Sequence, residues 1–294
     1  MKTTTKNKFL NYSLVRIVLG LVLSFASFII AQQLVGKLLD LTSIDNSFRN
    51  FIKGIIASVF VITGYILFYS KVEKRDITEL SKKGIVKNIV FGILIGAAIQ
   101  ILTLFVISIP GQLQIVSVNP LSFVVTPLAV ALSVAIFEEI LLRGIIFRIV
   151  EEKLGSITAL LLSALIFGGV HSMNPGSSII SSLCTGIVGF IFGAVYVYSR
   201  SLWLPIAIHF SWNFVQSGIF GAVTSGNEKT SSLLTTEISG PEIITGGAFG
   251  PEGTIQAVIL WSVVAIILSI LIVKQNKLIP LSFKPGKNHK SIPK

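Results

Sequence analysis

Long uninterrupted apolar runs dominate the pattern of hydrophobic and polar positions along the chain. A helix needs about 20 apolar residues to cross the ~30 Å hydrocarbon core of a bilayer. Runs of this length, rich in Phe, Ile, Leu and Val, cover residues 13–36, 51–70, 86–110, 122–148, 154–172, 178–198, 202–222 and 255–273. Because they lack the alternation with a period of two that marks membrane strands, they predict eight helices rather than a β-barrel.

Composition excludes a soluble globular enzyme. Charged residues make up 13% of the 294 residues, whereas soluble domains carry about 25%. Hydrophobic residues make up 52% of the chain, and the mean hydropathy is +0.84. The single cysteine, Cys184, also excludes a disulfide scaffold. We therefore expect an all-α polytopic membrane protein of about eight transmembrane helices that form one integral-membrane domain over residues 1–294.

The first apolar run is either a cleaved signal peptide or a retained helix. It follows Lys2, Lys6 and Lys8, as the apolar part of a signal peptide would. Its length exceeds the ~7–15 residues of such a segment, and no small-x-small cleavage pattern follows it. We therefore expect a retained first helix.

Basic residues orient the predicted spans, because cytoplasmic loops carry an excess of Lys and Arg. If the N-terminus is cytoplasmic, the outer segments carry only Lys37, Arg49, Lys53 and Lys229. The inner segments carry the N-terminal lysines, Lys71, Lys74, Arg75, Lys82, Lys83, Arg148, Lys153, Arg200, Lys274, Lys277, Lys284, Lys287, Lys290 and Lys294. We expect a multi-pass protein of the cell membrane with both termini inside, including a basic cytoplasmic tail at 274–294. The net charge of +11 then indicates membrane flanks and lipid contact rather than nucleic-acid binding.

The Gly-rich loop 223–254 lies outside on this topology and holds four glutamates. It is either a mobile cap over the protein or a solvated linker, and we expect a linker.

A small set of polar residues interrupts the apolar spans. Charged groups are costly inside a membrane and commonly mark functional sites there. The set consists of Glu138, Glu139, Arg143, His171, His209 and Asn213.

The spacing of Glu138, Glu139 and Arg143 predicts one ion pair within the helix and one unpaired carboxylate. Residues four apart share a helix face, so Glu139 can neutralise Arg143. Glu138 points about 100° away from that face. It therefore needs a histidine, water or a bound ion on another span.

The remaining polar residues are expected to meet Glu138. His209 shares a helix face with Asn213, and Phe167 shares one with His171. A rise of ~1.5 Å per residue from the span ends places Glu138, His171, His209 and Asn213 around the bilayer midplane. We therefore expect a polar chamber between helices 4, 5 and 7. The sequence does not decide whether it opens inward or outward.

Three short motifs resemble those of one protease family. The sequence reads EEILLR at 138–143, FGGVH at 167–171 and HFSWN at 209–213. They match the motifs EExxxR, FxxxH and HxxxN of the CPBP family of intramembrane proteases. That family includes the type II CAAX prenyl proteases and the bacterial Abi, or bacteriocin-immunity, proteins. The resemblance implies a catalytic core segment at about 122–222.

The resemblance also implies the site residues and the substrate class. It assigns catalytic roles to Glu138, His171, His209 and Asn213, and supporting roles to Glu139, Arg143 and Phe167. The family's prenyl proteases cleave after a lipidated cysteine, and its bacterial members are associated with peptide processing and bacteriocin immunity. The expected partners are membrane lipids and a peptide or lipidated-protein substrate, with no nucleic acid. The oligomeric state stays open.

Peptide hydrolysis needs an activated water and donors for the developing oxyanion. A carboxylate in apolar surroundings becomes a stronger base near neutral pH, so we expect Glu138 to take a proton from water that His171 orients. His209 and Asn213 would then donate hydrogen bonds to the oxyanion. Arg143 would hold Glu139 or, alternatively, meet a substrate carboxylate.

Three alternatives stay open. Glu138, His171 and His209 are plausible ligands of zinc or another divalent metal, although the H-E-x-x-H pattern is missing and Asn213 is a poor zinc ligand. We favour a glutamate mechanism that requires no cofactor. A proton-coupled transporter could use the same residues as a relay, but no internal repeat supports it. A non-catalytic immunity or interaction protein is the third alternative.

Overall fold

Transmembrane-length helices build most of this fold, which a computed structural model describes for residues 12–281. The helices are α1 Ser13–Asp40, α2 Asn46–Leu67, α3 Ile85–Ser108, α4 Val125–Glu139, α5 Arg148–His171, α6 Ile179–Ser199, α7 Trp203–Asn213, α8 Glu242–Thr245 and α9 Ile255–Lys274. Segments of π-helix continue three of them, at Phe68–Val72 after α2, Ile140–Phe147 after α4 and Phe214–Ile219 after α7. Strands β1 Leu113–Val118 and β2 Leu234–Ile238 form an antiparallel pair.

Within residues 12–281, six helical segments, one of them interrupted at Gly155, are long and apolar enough to cross a membrane. One of them, Leu121–His171, is 51 residues long and joins two of the eight predicted spans. Another predicted span, 202–222, forms the shorter helix Trp203–Ile219. The all-α membrane fold is thus confirmed, and the count of eight separate spans becomes six by this measure.

Gly155 marks the boundary between the two joined spans. Its backbone has φ 77° and ψ 167°, which interrupts the helical geometry inside α5. A side chain here would meet the main chain of the C-terminal segment, because a Cβ would lie 2.9 Å from the carbonyl oxygen of Ile279. Glycine lets the chain turn and lets this segment pack closely.

Ion pairs join the segments that are predicted to be cytoplasmic at one end of the bundle. Arg16 at the start of α1 contacts Glu73 at 2.7 Å and Glu152 at 2.9 Å. Arg200, after α6, contacts Glu151 at 2.6 Å. The helices therefore alternate in direction as the predicted topology requires. Residues 282–294 of the predicted basic tail and the first three lysines lie outside the described residues.

The opposite end is covered by residues 220–254, which we call the cap. The prediction of a solvated linker is wrong, because the cap contains β2, α8 and a 3₁₀ turn at Pro251–Gly253. β2 pairs with β1, which lies between α3 and α4, from Leu113 opposite Ile238 to Val118 opposite Leu234. These strands are far apart in sequence, so no hairpin turn signals the pairing.

Small residues let the helices approach closely, as in many membrane bundles. A Cβ added at Gly92 of α3 would lie 2.5 Å from the Cβ of Ala207 in α7. A Cβ added at Gly168 of α5 would lie 3.0 Å from the carbonyl oxygen of Ser182 in α6. Large apolar side chains on α1, α3 and α9 are exposed, as expected for surfaces that face lipid. The short α7 lies in the interior and carries two of the predicted site residues.

Candidate active site

Two of the helices that carry the predicted site change from α to π geometry beside the motif residues. The π segment Ile140–Phe147 begins directly after Glu139. The π segment Phe214–Ile219 begins directly after Asn213. Short π segments are rare and frequently occur at functional sites, because the extra residue in the turn reorients the neighbouring side chains.

Glu139 is the buried anchor of the site. Its Oε1 atom accepts a hydrogen bond from Nη1 of Arg143 at 3.0 Å and lies 3.1 Å from Nδ1 of His209. The Glu139 and Arg143 side chains are both 0% exposed. The structure therefore contains the Glu139–Arg143 pair that the spacing predicts, and it adds His209 as a second partner.

Arg143 is enclosed by protein groups that hydrogen-bond two of its three guanidinium nitrogens, while Nε has no partner within residues 12–281. Its Nη2 atom donates to the carbonyl oxygen of Gly189 at 3.0 Å. Its guanidinium carbon lies 5.1 Å from the ring centres of both Phe167 and Phe192. Buried charges are tolerated when they are paired and hydrogen-bonded in this way. The alternative role for Arg143, contact with a substrate carboxylate, is not compatible with this enclosure.

His209 connects the two glutamates. A carboxylate oxygen only accepts hydrogen bonds, so Nδ1 of His209 carries the proton that faces Glu139. The other ring nitrogen, Nε2, lies 3.9 Å from Oε2 of Glu138. That distance is too long for a hydrogen bond, and the two groups form an ion pair only when His209 is doubly protonated. Glu138 thus has the partner on another helix that its position requires.

Glu138 itself is available for chemistry. Its side chain is 27% exposed, whereas its Oε2 atom is buried and has no hydrogen-bond partner within residues 12–281. A buried carboxylate oxygen in a native structure normally has a protein or water partner. The free atom is therefore a natural position for a bound water or a substrate group.

His171 is oriented by its own helix. Its ring stacks on Phe167 with the ring centres 4.3 Å apart. Its Nδ1 atom lies 2.9 Å from the carbonyl oxygen of Phe167, and a carbonyl can only accept, so Nδ1 carries a proton. In the neutral ring, Nε2 then keeps its lone pair. The shared face of Phe167 and His171 was predicted from sequence, whereas this tautomer follows only from the structure.

A small cavity brings His171, His209 and Asn213 together. It measures about 30 Å³, which is room for about two water molecules. Its wall also includes Cys184 and Thr185 of α6, and Ser225 and Glu252 of the cap. Glu138 borders this cavity through His209 rather than lining it. The cavity therefore lies between α5, α6, α7 and the cap. The prediction of a chamber between helices 4, 5 and 7 is correct for helices 5 and 7, whereas α6 takes the place of helix 4 in the wall.

Glu252 is the wall residue that sequence reasoning missed. It is 5% exposed, although it lies in a loop that we expected to be solvated. Burial raises the pKa of the Glu252 carboxyl above its ordinary value. No sequence signal separates it from the other glutamates of the cap, because its burial depends on contacts that are made only in the folded chain.

The metal alternative can be tested against the arrangement of possible ligands. In the part of the chain that the structure describes, no three His, Cys, Asp or Glu side chains are grouped as a metal ion requires. Glu138, His171 and His209 therefore do not form a closed ligand set in this arrangement.

Comparisons with known proteins support the interpretation of the motifs. Residues 120–215 match the family profile described as "Type II CAAX prenyl endopeptidase Rce1-like". The resemblance to the CPBP proteases is confirmed over this segment. The chain is also 32% identical over 115 residues to a protein of Bacillus subtilis (strain 168) named "Putative membrane peptidase YdiL". That alignment covers 39% of this chain and 42% of the relative. No solved structure matches the chain.

Proposed function

We propose that this protein is an intramembrane endopeptidase that hydrolyses a membrane-associated or lipid-modified protein or peptide. The observation that carries the proposal is the unpaired Oε2 atom of Glu138 beside His209, inside a segment that matches a peptidase family. Peptide processing or bacteriocin immunity is the biological setting that we propose.

Glu138 acts as the general base. Its free carboxylate oxygen takes a proton from a water molecule as that water attacks the carbonyl carbon of the scissile bond. The unprotonated Nε2 atom of His171 accepts the second hydrogen bond of the water and orients its lone pair. The proton held by Glu138 then passes to the leaving amine, so the carboxylate is regenerated.

His209 and Asn213 stabilise the oxyanion. Because Nδ1 of His209 already donates to Glu139, only a doubly protonated ring can donate from Nε2 as well. The Glu139 carboxylate stabilises that charged ring, so Glu139 acts through His209 rather than on the substrate. The side-chain amide of Asn213, one helical turn away, supplies the second donor. Loss of either donor should lower the rate about 10²–10³-fold.

Metal dependence provides one test of these roles. We expect purified protein treated with a strong chelator to keep its cleavage activity, measured against untreated protein from the same preparation. If chelation abolishes cleavage and added zinc restores it, His209 and Asn213 are not oxyanion donors.

The proposed activity itself is tested in membranes. Membranes from cells that produce the wild type should contain cleaved peptides that are missing when Glu138→Gln is produced at the same level. Glu237→Gln is the matched control, because Glu237 is exposed on β2 and its loss should leave the peptides unchanged. An immunity phenotype that survives Glu138→Gln would instead indicate that binding, rather than hydrolysis, is the function.

A further inference from the structure

Glu252 joins three parts of the molecule at the cavity. Oε1 accepts a hydrogen bond from the hydroxyl of Ser225 in the cap. Oε2 lies 3.4 Å from the indole nitrogen of Trp212 in α7, which donates to it. Two other titratable groups, His171 and Cys184, line the same cavity and interact with the carboxyl. Glu252 therefore connects the cap to the helix that carries His209 and Asn213.

The backbone around Glu252 is fixed by α9, whereas Ser225 lies in a loop that is held by a hydrogen bond from Nδ2 of Asn174 to its carbonyl oxygen at 2.9 Å. Glu252 lies in the turn Pro251–Gly253, which only Thr254 separates from the first residue of α9. Thr254 caps that helix, because its hydroxyl accepts from the backbone N–H of Ala257 at 3.2 Å. Ser225 lies in a loop and has a positive φ of 50°. Loop segments of this kind open locally more easily than packed helices.

The cavity behind this contact is too small for a substrate. Pockets that enclose small-molecule ligands measure about 300–1,000 Å³, whereas this one measures about 30 Å³. His209, Trp212 and Glu252 are each 5% exposed. The cavity therefore accommodates water but is too small for a peptide, although His171 and Asn213 on its wall are partly exposed.

We propose that Glu252 is a positioning residue that closes the candidate active site. Its contacts with Ser225 and Trp212 hold the cap as the outer wall of the cavity, and this wall is released when a peptide enters. Closure around bound substrate excludes bulk water from the reaction, as loops do in many enzymes. The catalytic consequence rests on the proposed protease function, but the closure itself does not.

Cys184 provides a direct measure of opening. It is the single cysteine of the chain, it is 1% exposed, and it lines the cavity. In the full chain reconstituted in liposomes, Glu252→Ala should increase the rate of Cys184 alkylation by N-ethylmaleimide at least about tenfold, because it removes hydrogen bonds made to a carboxyl group. Ser225→Ala removes one of these hydrogen bonds by deleting a single hydroxyl group, and it should also increase the rate of Cys184 alkylation.

Two comparisons make this measurement decisive. The double variant should react no faster than Glu252→Ala alone, because both residues act in one contact. The matched control, Glu237→Gln, changes an exposed carboxylate of the same cap and should react at the wild-type rate. Ser225→Ala leaves the Glu252 carboxylate beside Cys184 in place, so its rate reports opening without a change of charge at the thiol. A wild-type alkylation rate in Ser225→Ala would overturn the proposal and would indicate that access occurs between helices.

The KM and kcat of cleavage distinguish a positioning role of Glu252 from a general loss of structure. If the protein is a protease, Ser225→Ala should lower KM because opening is easier, and should lower kcat because the closed state is less populated. A fall in kcat with KM unchanged would contradict the positioning role. If the wild type cleaves nothing, the proposed function fails, whereas the alkylation measurements still test the closure.

Discussion

At the scale of single residues, the candidate site is organised around one buried acceptor. Oε1 of Glu139 accepts hydrogen bonds from both Arg143 and His209. This contact fixes which nitrogen of His209 faces Glu138. The two adjacent glutamates have different roles because they face different surroundings. Each has one buried oxygen without a hydrogen-bond partner within residues 12–281. Glu139 is 0% exposed and paired through its other oxygen, whereas Glu138 is 27% exposed.

Arg143→Met should destabilise the protein by about 3–5 kcal/mol, because it leaves the buried Glu139 without its cation. The double variant Glu139→Gln/Arg143→Met should recover most of this loss, since it removes both charges. It should nevertheless cleave poorly, because glutamine at this position does not stabilise a charged His209. Thermal unfolding in detergent and a cleavage assay measure the two effects. A double variant as unstable as Arg143→Met would contradict the pairing, and one with wild-type activity would contradict the role of Glu139.

At the scale of helices, the contact between α5 and α6 positions the site from behind. The carbonyl oxygen of Gly189 accepts from Arg143 and also from the hydroxyl of Ser163 at 2.9 Å. Both hydrogen bonds need α5 and α6 to lie close together, and the lack of a side chain at Gly189 allows this.

Gly189→Ala should cost about 1–3 kcal/mol, because an added Cβ overpacks this contact. It would lie 2.6 Å from the Cβ of Phe167 and 2.8 Å from the carbonyl oxygen of Ser163. Gly186→Ala, one turn earlier on the same helix, is the matched control, because its Cβ would find its nearest neighbour at 3.6 Å. We expect it to change the free energy of unfolding by less than about 0.5 kcal/mol. Equal effects in denaturation of the two variants would show that the α5–α6 contact is not tight at Gly189.

At the scale of the whole molecule, the basic residues predict that the cap lies outside and the ion-paired ends of the helices lie inside. An impermeant maleimide applied to intact cells that carry Cys184→Ser should therefore label Glu237→Cys. It should label Lys83→Cys only after the membrane is permeabilised. Both positions are exposed on the protein surface. The reversed labelling pattern would show that the orientation inferred from the basic residues is wrong.

Much of the molecule could be predicted from local patterns. The apolar runs locate the membrane helices, and the four-residue spacing of Glu139 and Arg143 gives their contact. The cap could not be predicted, because β1 and β2 pair across more than one hundred residues. Glu252 was missed for the same reason, since only the folded cap brings it to Trp212. The tautomers of His171 and His209 also required coordinates, because they depend on which oxygen each ring faces.

The central claim is that Glu138 activates the water that cleaves the peptide bond. The most direct test is the rate at which purified wild type and Glu138→Gln cleave a peptide recovered from the membrane comparison, both in liposomes. The substitution keeps the shape of the side chain, so Cys184 alkylation and thermal unfolding should match the wild type. We predict that the cleavage rate falls by about 10²–10⁴-fold, the usual contribution of a general base. A correctly folded Glu138→Gln protein that cleaves at the wild-type rate would contradict the account.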